Sequence, residues 1–155
     1  MQPDLVWQEP EANYHLCGEL LAGHADESDL VILPEMFTTG FTMDAERHGE
    51  DHNGPTTDWL RETAAKHATH ICGSLIIREQ RRYFNRLLWV SPDGTVAHYD
   101  KRHLFRMANE HEHYSAGNRR LIETIGDWRI CPLVCYDLRF PVWSRSRNDY
   151  DLLIY

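Results

Sequence analysis

Three residues able to carry out chemistry on a carbonyl group stand at the ends of short, strand-like runs: Glu35, Lys101 and Cys135. Cys135 is the most informative of them, because a thiol at the tip of a buried strand, where the chain turns toward a helix, is placed for nucleophilic attack. At such a turn the next backbone N–H, that of Tyr136, can face a developing oxyanion. The runs before the three residues are 30–34, 95–100 and 128–134.

The three residue types complement one another chemically. A thiol with an ordinary pKa of about 8.5 is mostly protonated at neutral pH and needs a base or a cationic neighbour to become a nucleophile. A carboxylate can take that proton during attack on a carbonyl or nitrile carbon and return it to a leaving amine. An ammonium group can stabilise the tetrahedral oxyanion beside a backbone donor. One residue of each type therefore suffices to hydrolyse an amide through a thioester, without a metal.

The pattern of apolar residues predicts the elements that carry these side chains. Helices are indicated at 11–22 and from 54 onward, and 101–117 is expected to be a polar, histidine-rich loop. Helices that alternate with buried strands are typical of an α/β layered domain, in which ligands gather beyond the carboxyl ends of the strands. The predicted strands are 29–33, 71–77, 83–90, 95–99, 121–125, 128–134 and 151–155, with a hairpin turn at 126–127.

Composition and charge narrow the possible functions. The chain has 155 residues, enough for one globular domain, and a formal net charge of −8. Nucleic-acid and anionic-membrane partners are not expected, because phosphate contacts need clustered lysines and arginines. No apolar stretch approaches the ~18 residues of a membrane span and no signal-peptide pattern is present, so we expect a cytoplasmic protein. The cysteines lack disulfide-framework spacing, which predicts reduced thiols, with Cys17, Cys72 and Cys131 as packing residues.

Three ordered motifs carry a family resemblance: Leu33-Pro-Glu35, Tyr99-Asp-Lys-Arg-His-Leu-Phe105 and Cys135-Tyr-Asp-Leu-Arg-Phe-Pro141. They resemble the nitrilase, or carbon–nitrogen hydrolase, superfamily. The resemblance implies that Glu35 is the general base, Lys101 the oxyanion stabiliser and Cys135 the nucleophile, with no metal and no other cofactor. It also implies the α/β fold of that family, a four-layer α-β-β-α sandwich.

The longer strings after Lys101 and Tyr136 look like the bacterial omega-amidase branch of the family. That branch releases ammonia from the distal amide of 2-oxoglutaramate and 2-oxosuccinamate, leaving the dicarboxylate. Such a substrate keeps a carboxylate far from the scissile amide, and an arginine fork suits it, so Arg139 is a candidate for substrate binding or, alternatively, for a structural ion pair. Family members often carry a second glutamate before a glycine in the loop after the lysine. Glu110 matches that placement as a supporting residue, and Glu112 matches it less well.

The resemblance covers only the first part of the family's fold. We therefore expect residues 1–155 to form a single, incomplete carbon–nitrogen hydrolase domain, truncated at both ends, with the abrupt strand at 151–155 as the motivating observation. An α/β half-domain would leave an open strand edge and apolar sheet surface in water. The complete protein is expected to form a homo-oligomer, as relatives commonly do.

Three other functions remain open at this point. The chain could belong to another nitrilase branch that acts on nitriles or N-carbamoyl compounds, or it could be a noncatalytic interaction module that keeps the fold. His103, His111 and His113 raise a third alternative, a metal protein. A His-x-His pair with a third histidine is weak support for a metal site, so we interpret these residues as part of an uncoordinated polar loop.

Overall fold

The computed structural model describes residues 1–155, the side chain of Asp26 excepted. It contains five α-helices, three 3₁₀ turns and seven strands. The helices are α1 (Pro10–Ala22), α2 (Ala45–His48), α3 (Pro55–His67), α4 (Glu110–His113) and α5 (Pro141–Ser144), and the 3₁₀ turns are Ala25–Glu27, Arg106–Ala108 and Cys135–Arg139. The strands are β1 (Leu30–Ile32), β2 (His70–Glu79), β3 (Arg82–Val90), β4 (Val96–Asp100), β5 (Glu123–Ile125), β6 (Trp128–Pro132) and β7 (Leu152–Ile154).

The strands form two sheets. The first has the order β1-β2-β3-β4, with β1 parallel to β2 and the other two pairs antiparallel. Helix α3 provides the crossover that a parallel β1–β2 pair requires. A two-residue turn joins β2 to β3, and Gln80 and Arg81 both adopt positive φ there, as the favoured hairpin turns demand. The second sheet has the order β5-β6-β7, with β5 antiparallel and β7 parallel to β6.

Two apolar cores join these elements into layers. On β2, Ile71 and Leu75 face α1 and α3, whereas Cys72 faces the second sheet, as the alternation of side chains along a strand requires. Burying each large aliphatic side chain stabilises the fold by about 1.5–3 kcal/mol. The described residues thus form a helix layer and two stacked sheets, and the predicted α/β class is confirmed. The core between the sheets contains Cys72, Leu87, Trp89, Tyr99, Ile130, Cys131, Leu133 and Val134.

The predicted strands and the two longer helices are confirmed to within a few residues. Helix α2 was not predicted, and one predicted loop also differs. The segment 101–117, expected to be irregular, contains a 3₁₀ turn and helix α4. The cause is Glu110, which is fully buried and accepts a hydrogen bond from the Phe105 N–H, so the chain coils around this carboxylate.

The four cysteines are free. As predicted, Cys17, Cys72 and Cys131 are buried, whereas Cys135 is exposed.

Within the part of the chain that the structure describes, no helix combines the length and the hydropathy needed to cross a bilayer.

Candidate active site

Glu35 and Lys101 meet at one edge of the first sheet. Strands β1 and β4 run in the same direction, since β1 is parallel to β2 and two antiparallel pairs connect β2 to β4. Their carboxyl ends therefore share an edge, as the sequence predicts. Lys101 follows β4 directly, and its Nζ lies 2.7 Å from Oε1 of Glu35.

Hydrogen bonds hold the segment around Glu35 against strand β2. Met36, the next residue, adopts φ 48°, a conformation that is uncommon for a side chain of its size. Its N–H donates to the Ser74 hydroxyl at 2.9 Å, and the Phe37 N–H donates to the Ser74 carbonyl at 3.0 Å. These bonds fix the direction in which the Glu35 side chain leaves the strand end.

A second carboxylate and a neutral amide complete the cluster around the lysine. Glu110 lies with Oε2 at 2.9 Å from the Lys101 Nζ. Asn85, on β3, donates from Nδ2 to Oε1 of Glu35 at 2.8 Å and to Oε1 of Glu110 at 3.0 Å. The amide therefore holds the two carboxylates on either side of the ammonium group. The side chain of Glu112, the weaker of the two candidates, is exposed.

Sequence reasoning missed Asn85. The available signal was a polar residue flanked by apolar ones in the predicted strand 83–90. A buried polar side chain on a strand needs partners, and that requirement points toward a site.

The charge on Lys101 is set by competing influences. Its side chain is fully buried, and burial, the largest single influence, lowers the pKa of an ammonium group. The adjacent carboxylates Glu35 and Glu110 outweigh burial and raise the pKa of Lys101 above its ordinary value. The ring of Phe41 covers the ammonium at 5.2 Å from its centroid and excludes water from that side. Lys101 is therefore a fixed cation.

Cys135 begins the 3₁₀ turn after β6 with φ 42°, a costly conformation for a residue other than glycine. Tyr136 is the second residue of that turn. The first N–H groups of a helix have no partner within the helix, and the Tyr136 N–H is one of them. Although Cys135 is exposed as a residue, partial desolvation of its sulfur raises the pKa of the thiol to about 11, with further contributions from the charge of Glu35 and a hydrogen bond to it. Lys101 opposes this shift. The resting thiol is therefore protonated, and it lines the same cavity as the Glu35 carboxylate.

An open cavity connects the thiol and the carboxylate. Its lining is largely apolar and includes Leu33, Glu35, Ser74, Leu87, Leu133, Cys135 and Leu138. Arg139 is exposed and is not among the described residues that line this cavity. Its role in holding a substrate carboxylate stays a prediction.

The three histidines of the loop occupy different environments. His103 lies with Nδ1 at 2.7 Å from Oδ1 of Asp137, while His111 and His113 are exposed. Among the side chains that the structure describes, no group of three or more His, Cys, Asp or Glu residues is arranged to hold a metal ion.

Gly117 allows the chain to pass close behind Lys101. Its N–H donates to the Lys101 carbonyl at 3.0 Å, and a Cβ added there would lie 2.1 Å from the Asp100 carbonyl oxygen. We expect Gly117→Ala to lower the free energy of unfolding by about 1–3 kcal/mol, because backbone atoms must move to relieve the overlap. Urea denaturation measures this difference.

Gly18 provides the control for that variant. It lies inside α1, and an added Cβ meets nothing within 4 Å. Gly18→Ala should raise the free energy of unfolding by roughly 0.5–1 kcal/mol, since alanine is the better helix former. Equal effects of the two substitutions would contradict the close approach at Gly117.

Three comparisons with known proteins agree with one another. The carbon-nitrogen hydrolase family model matches residues 1–155. The chain is 48% identical over 155 residues to the omega-amidase YafV of Escherichia coli strain K12, a match covering 100% of this chain and 60% of that protein. It is 30% identical over 151 residues to the 2-oxoglutaramate amidase of Bacillus subtilis, covering 96% and 58% of the two proteins.

A solved structure gives the same result. The structure of a CN-hydrolase superfamily protein of Xanthomonas campestris, with an arsenic adduct in its active site, superposes with a TM-score of 0.94 at 46% identity. The match covers 99% of this chain and 62% of that one. The chain thus spans about 60% of the length of these relatives.

Proposed function

Because this chain belongs to the carbon–nitrogen hydrolase family, we propose that the protein is a cysteine-dependent amidohydrolase. It cleaves a small omega-amide such as 2-oxoglutaramate to the dicarboxylate and ammonia through a thioester. The observation that carries the proposal is geometric: Glu35 and Cys135 line the same cavity, and the Lys101 ammonium lies 2.7 Å from Oε1 of Glu35.

In the first half of the reaction, Sγ of Cys135 attacks the amide carbon and its proton passes to Glu35. Transfer during attack is required, because a thiol with a pKa of about 11 supplies little thiolate at neutral pH. The C–N double-bond character is lost and negative charge develops on the amide oxygen. Lys101 Nζ and the Tyr136 N–H stabilise that oxyanion. Glu35 then returns the proton to the nitrogen, the C–N bond breaks, and ammonia leaves a thioester on Cys135.

In the second half, water replaces ammonia. Glu35, again a carboxylate, takes a proton from the water as its oxygen attacks the thioester carbon, and the same donors stabilise the second oxyanion. The C–S bond breaks, the product acid leaves, and the proton returns to the Cys135 sulfur. Glu110 acts as a supporting residue, since its carboxylate balances the Lys101 ammonium while Glu35 exchanges its proton.

The choice of substrate class rests on similarity and on charge. Relatives at 48% and 30% identity are named omega-amidase and 2-oxoglutaramate amidase. The net charge of −8 favours a small-molecule substrate over nucleic acid.

We further propose that the protein is a cytoplasmic enzyme that self-associates. Support for self-association comes from two exposed apolar side chains after the thiol, Leu138 at 58% and Val142 at 92% exposure.

The experiment that tests the proposal is intact-mass detection of an acyl adduct. The 155-residue protein is incubated with 2-oxoglutaramate, with a nitrile and with an N-carbamoyl amino acid, while released ammonia is measured. We expect an acyl group on Cys135, and ammonia, from 2-oxoglutaramate alone. Ammonia from the nitrile or the carbamoyl compound instead would assign the chain to another nitrilase branch. The same test is made on a chain extended to the family's full length, and neither adduct nor ammonia from any of the three compounds with either protein would refute the amidohydrolase proposal.

A further inference from the structure

A buried carboxylate close to the thiol plays no part in the chemistry described above. Asp137 lies two residues after Cys135, is 0% exposed, and its two oxygens accept four hydrogen bonds. Oδ2 accepts from the Tyr99 hydroxyl at 2.7 Å and from the Val134 N–H at 3.2 Å. Oδ1 accepts from the His103 N–H at 2.9 Å and from His103 Nδ1 at 2.7 Å. Its hydrogen-bonding capacity is therefore used by two separate segments of the chain.

Those segments carry the two groups that must meet at the substrate. Tyr99 and His103 stand two residues before and two residues after Lys101, and Val134 directly precedes Cys135. We propose that Asp137 is a positioning residue, whose carboxylate fixes the turn of Cys135 against the segment of Lys101. The effect of Asp137 on catalysis rests on the proposed function, whereas its hydrogen bonds to the two segments are independent of that proposal.

The partners of Asp137 are themselves held in place. The Tyr99 hydroxyl accepts hydrogen bonds from the Arg102 N–H at 3.1 Å and from Trp143 Nε1 at 3.0 Å. The His103 ring stacks on Phe140 with centroids 3.8 Å apart and planes within 4°. Neither donor can turn away from the carboxylate without losing these contacts.

The chemistry of the cluster requires a carboxylate. Three of the four bonds come from the Tyr99 hydroxyl and two backbone N–H groups, and His103 donates the fourth when Nδ1 carries the ring proton. An ionised carboxylate is a pure acceptor, which suits this set of donors. An asparagine of the same shape keeps one oxygen and directs an NH₂ group at donors that were previously satisfied. Asp137→Asn therefore removes some of the hydrogen bonds between the two segments with little change in side-chain volume.

The expected consequence concerns the conformation of the thiol. Cys135 keeps φ 42° only because its surroundings enforce it. When the hydrogen bonds of Asp137 are weakened by substitution, the 3₁₀ turn relaxes and Sγ of Cys135 moves toward solvent, away from Glu35. Both influences that raise the thiol pKa to about 11, burial and the neighbouring carboxylate, then weaken. The thiol becomes more reactive toward a small alkylating reagent and less able to attack an amide.

The test measures alkylation of Cys135 by iodoacetamide as a function of pH, with intact-mass readout. In Asp137→Asn we expect the midpoint of the profile to fall by about one pH unit or more, and alkylation at a pH of about 8.5 to become roughly tenfold faster. Ammonia release from 2-oxoglutaramate should fall more than about tenfold through kcat, because geometry at the reacting centre is what changes. A residue with a purely structural role would not produce these opposite changes.

Two further variants and an internal control accompany the measurement. Tyr99→Phe removes a single donor to Asp137 and should shift the midpoint in the same direction by a smaller amount, which keeps the test decisive if Asp137→Asn does not fold. Glu50→Gln is the matched control, since Glu50 also accepts a backbone N–H, that of Thr56 at 2.9 Å, away from the thiol. It should leave the profile of Cys135 unchanged. The other cysteines, which are buried, must stay unmodified in every folded variant.

The outcomes separate the inference from the proposed function. An unchanged midpoint in a folded Asp137→Asn or Tyr99→Phe protein overturns the positioning role. So does a shift accompanied by alkylation of Cys72 and Cys131, which indicates unfolding. If wild-type protein forms no acyl adduct with 2-oxoglutaramate while the predicted midpoint shifts occur, the proposed function fails and the tie between the two segments stands.

Discussion

Cys135→Ala should reduce ammonia release from 2-oxoglutaramate by roughly 10⁴-fold to 10⁶-fold, the scale seen when a nucleophile is removed from a covalent mechanism. Alanine has no group that can form the acyl intermediate. A coupled ammonia assay on the wild-type and variant proteins measures the loss, and intact mass should show no acyl adduct.

The same variant should fold normally. Cys135 is exposed, and alanine meets the same backbone cost at φ 42°, so the free energy of unfolding should change by less than about 1 kcal/mol. Circular dichroism and urea denaturation provide this control. A folded Cys135→Ala protein that still turns over the amide would end the assignment of the nucleophile.

Glu35→Gln should affect turnover and thiol reactivity in opposite directions. Turnover should fall by about 10²-fold to 10⁴-fold, because the variant loses the group that we propose takes the proton during attack. The pKa of Cys135 should fall below its value of about 11, because the charge and hydrogen bond of Glu35 both raise it while Lys101 lowers it. The variant thiol should therefore be alkylated by iodoacetamide at a lower pH than the wild-type thiol.

A matched variant separates this effect from a general disturbance. In Glu35→Gln the side-chain amide oxygen can still accept from Lys101 and Asn85, so the cluster should keep its shape. Glu112→Gln, at an exposed position in the same short helix as Glu110, should change neither turnover nor the alkylation profile. An alkylation midpoint that rises in Glu35→Gln, or stays constant, would be incompatible with a carboxylate in contact with the thiol.

The arrangement also explains why the cluster tolerates two carboxylates beside one buried ammonium. Lys101 satisfies one negative charge, and Asn85 adds a neutral donor to each glutamate, so neither carboxylate is left without partners in a buried setting. In the proposed mechanism, one carboxylate exchanges a proton with Cys135 while the other keeps the ammonium charged.

Local patterns in the sequence were sufficient for most of the elements, and together with the family resemblance they indicated the candidate residues of the site. The positions of Glu35, Lys101 and Cys135 at the ends of apolar runs follow from the hydropathy pattern, which reports which segments are buried. The prediction that Glu35 and Lys101 converge was also correct, because strands of the same direction bring their carboxyl ends to one edge of a sheet.

The tertiary structure alone decided the hydrogen-bond partners of Glu35 and Asp137 and how the thiol ionises. Asn85 is 50 residues from Glu35, and Tyr99 is 38 residues from Asp137, so no local pattern encodes either hydrogen bond. The raised pKa of Cys135 likewise depends on burial and on a carboxylate 100 residues away in the chain. Hydropathy and spacing describe a residue's own segment, whereas hydrogen-bond partners and desolvation depend on what the other segments bring next to it.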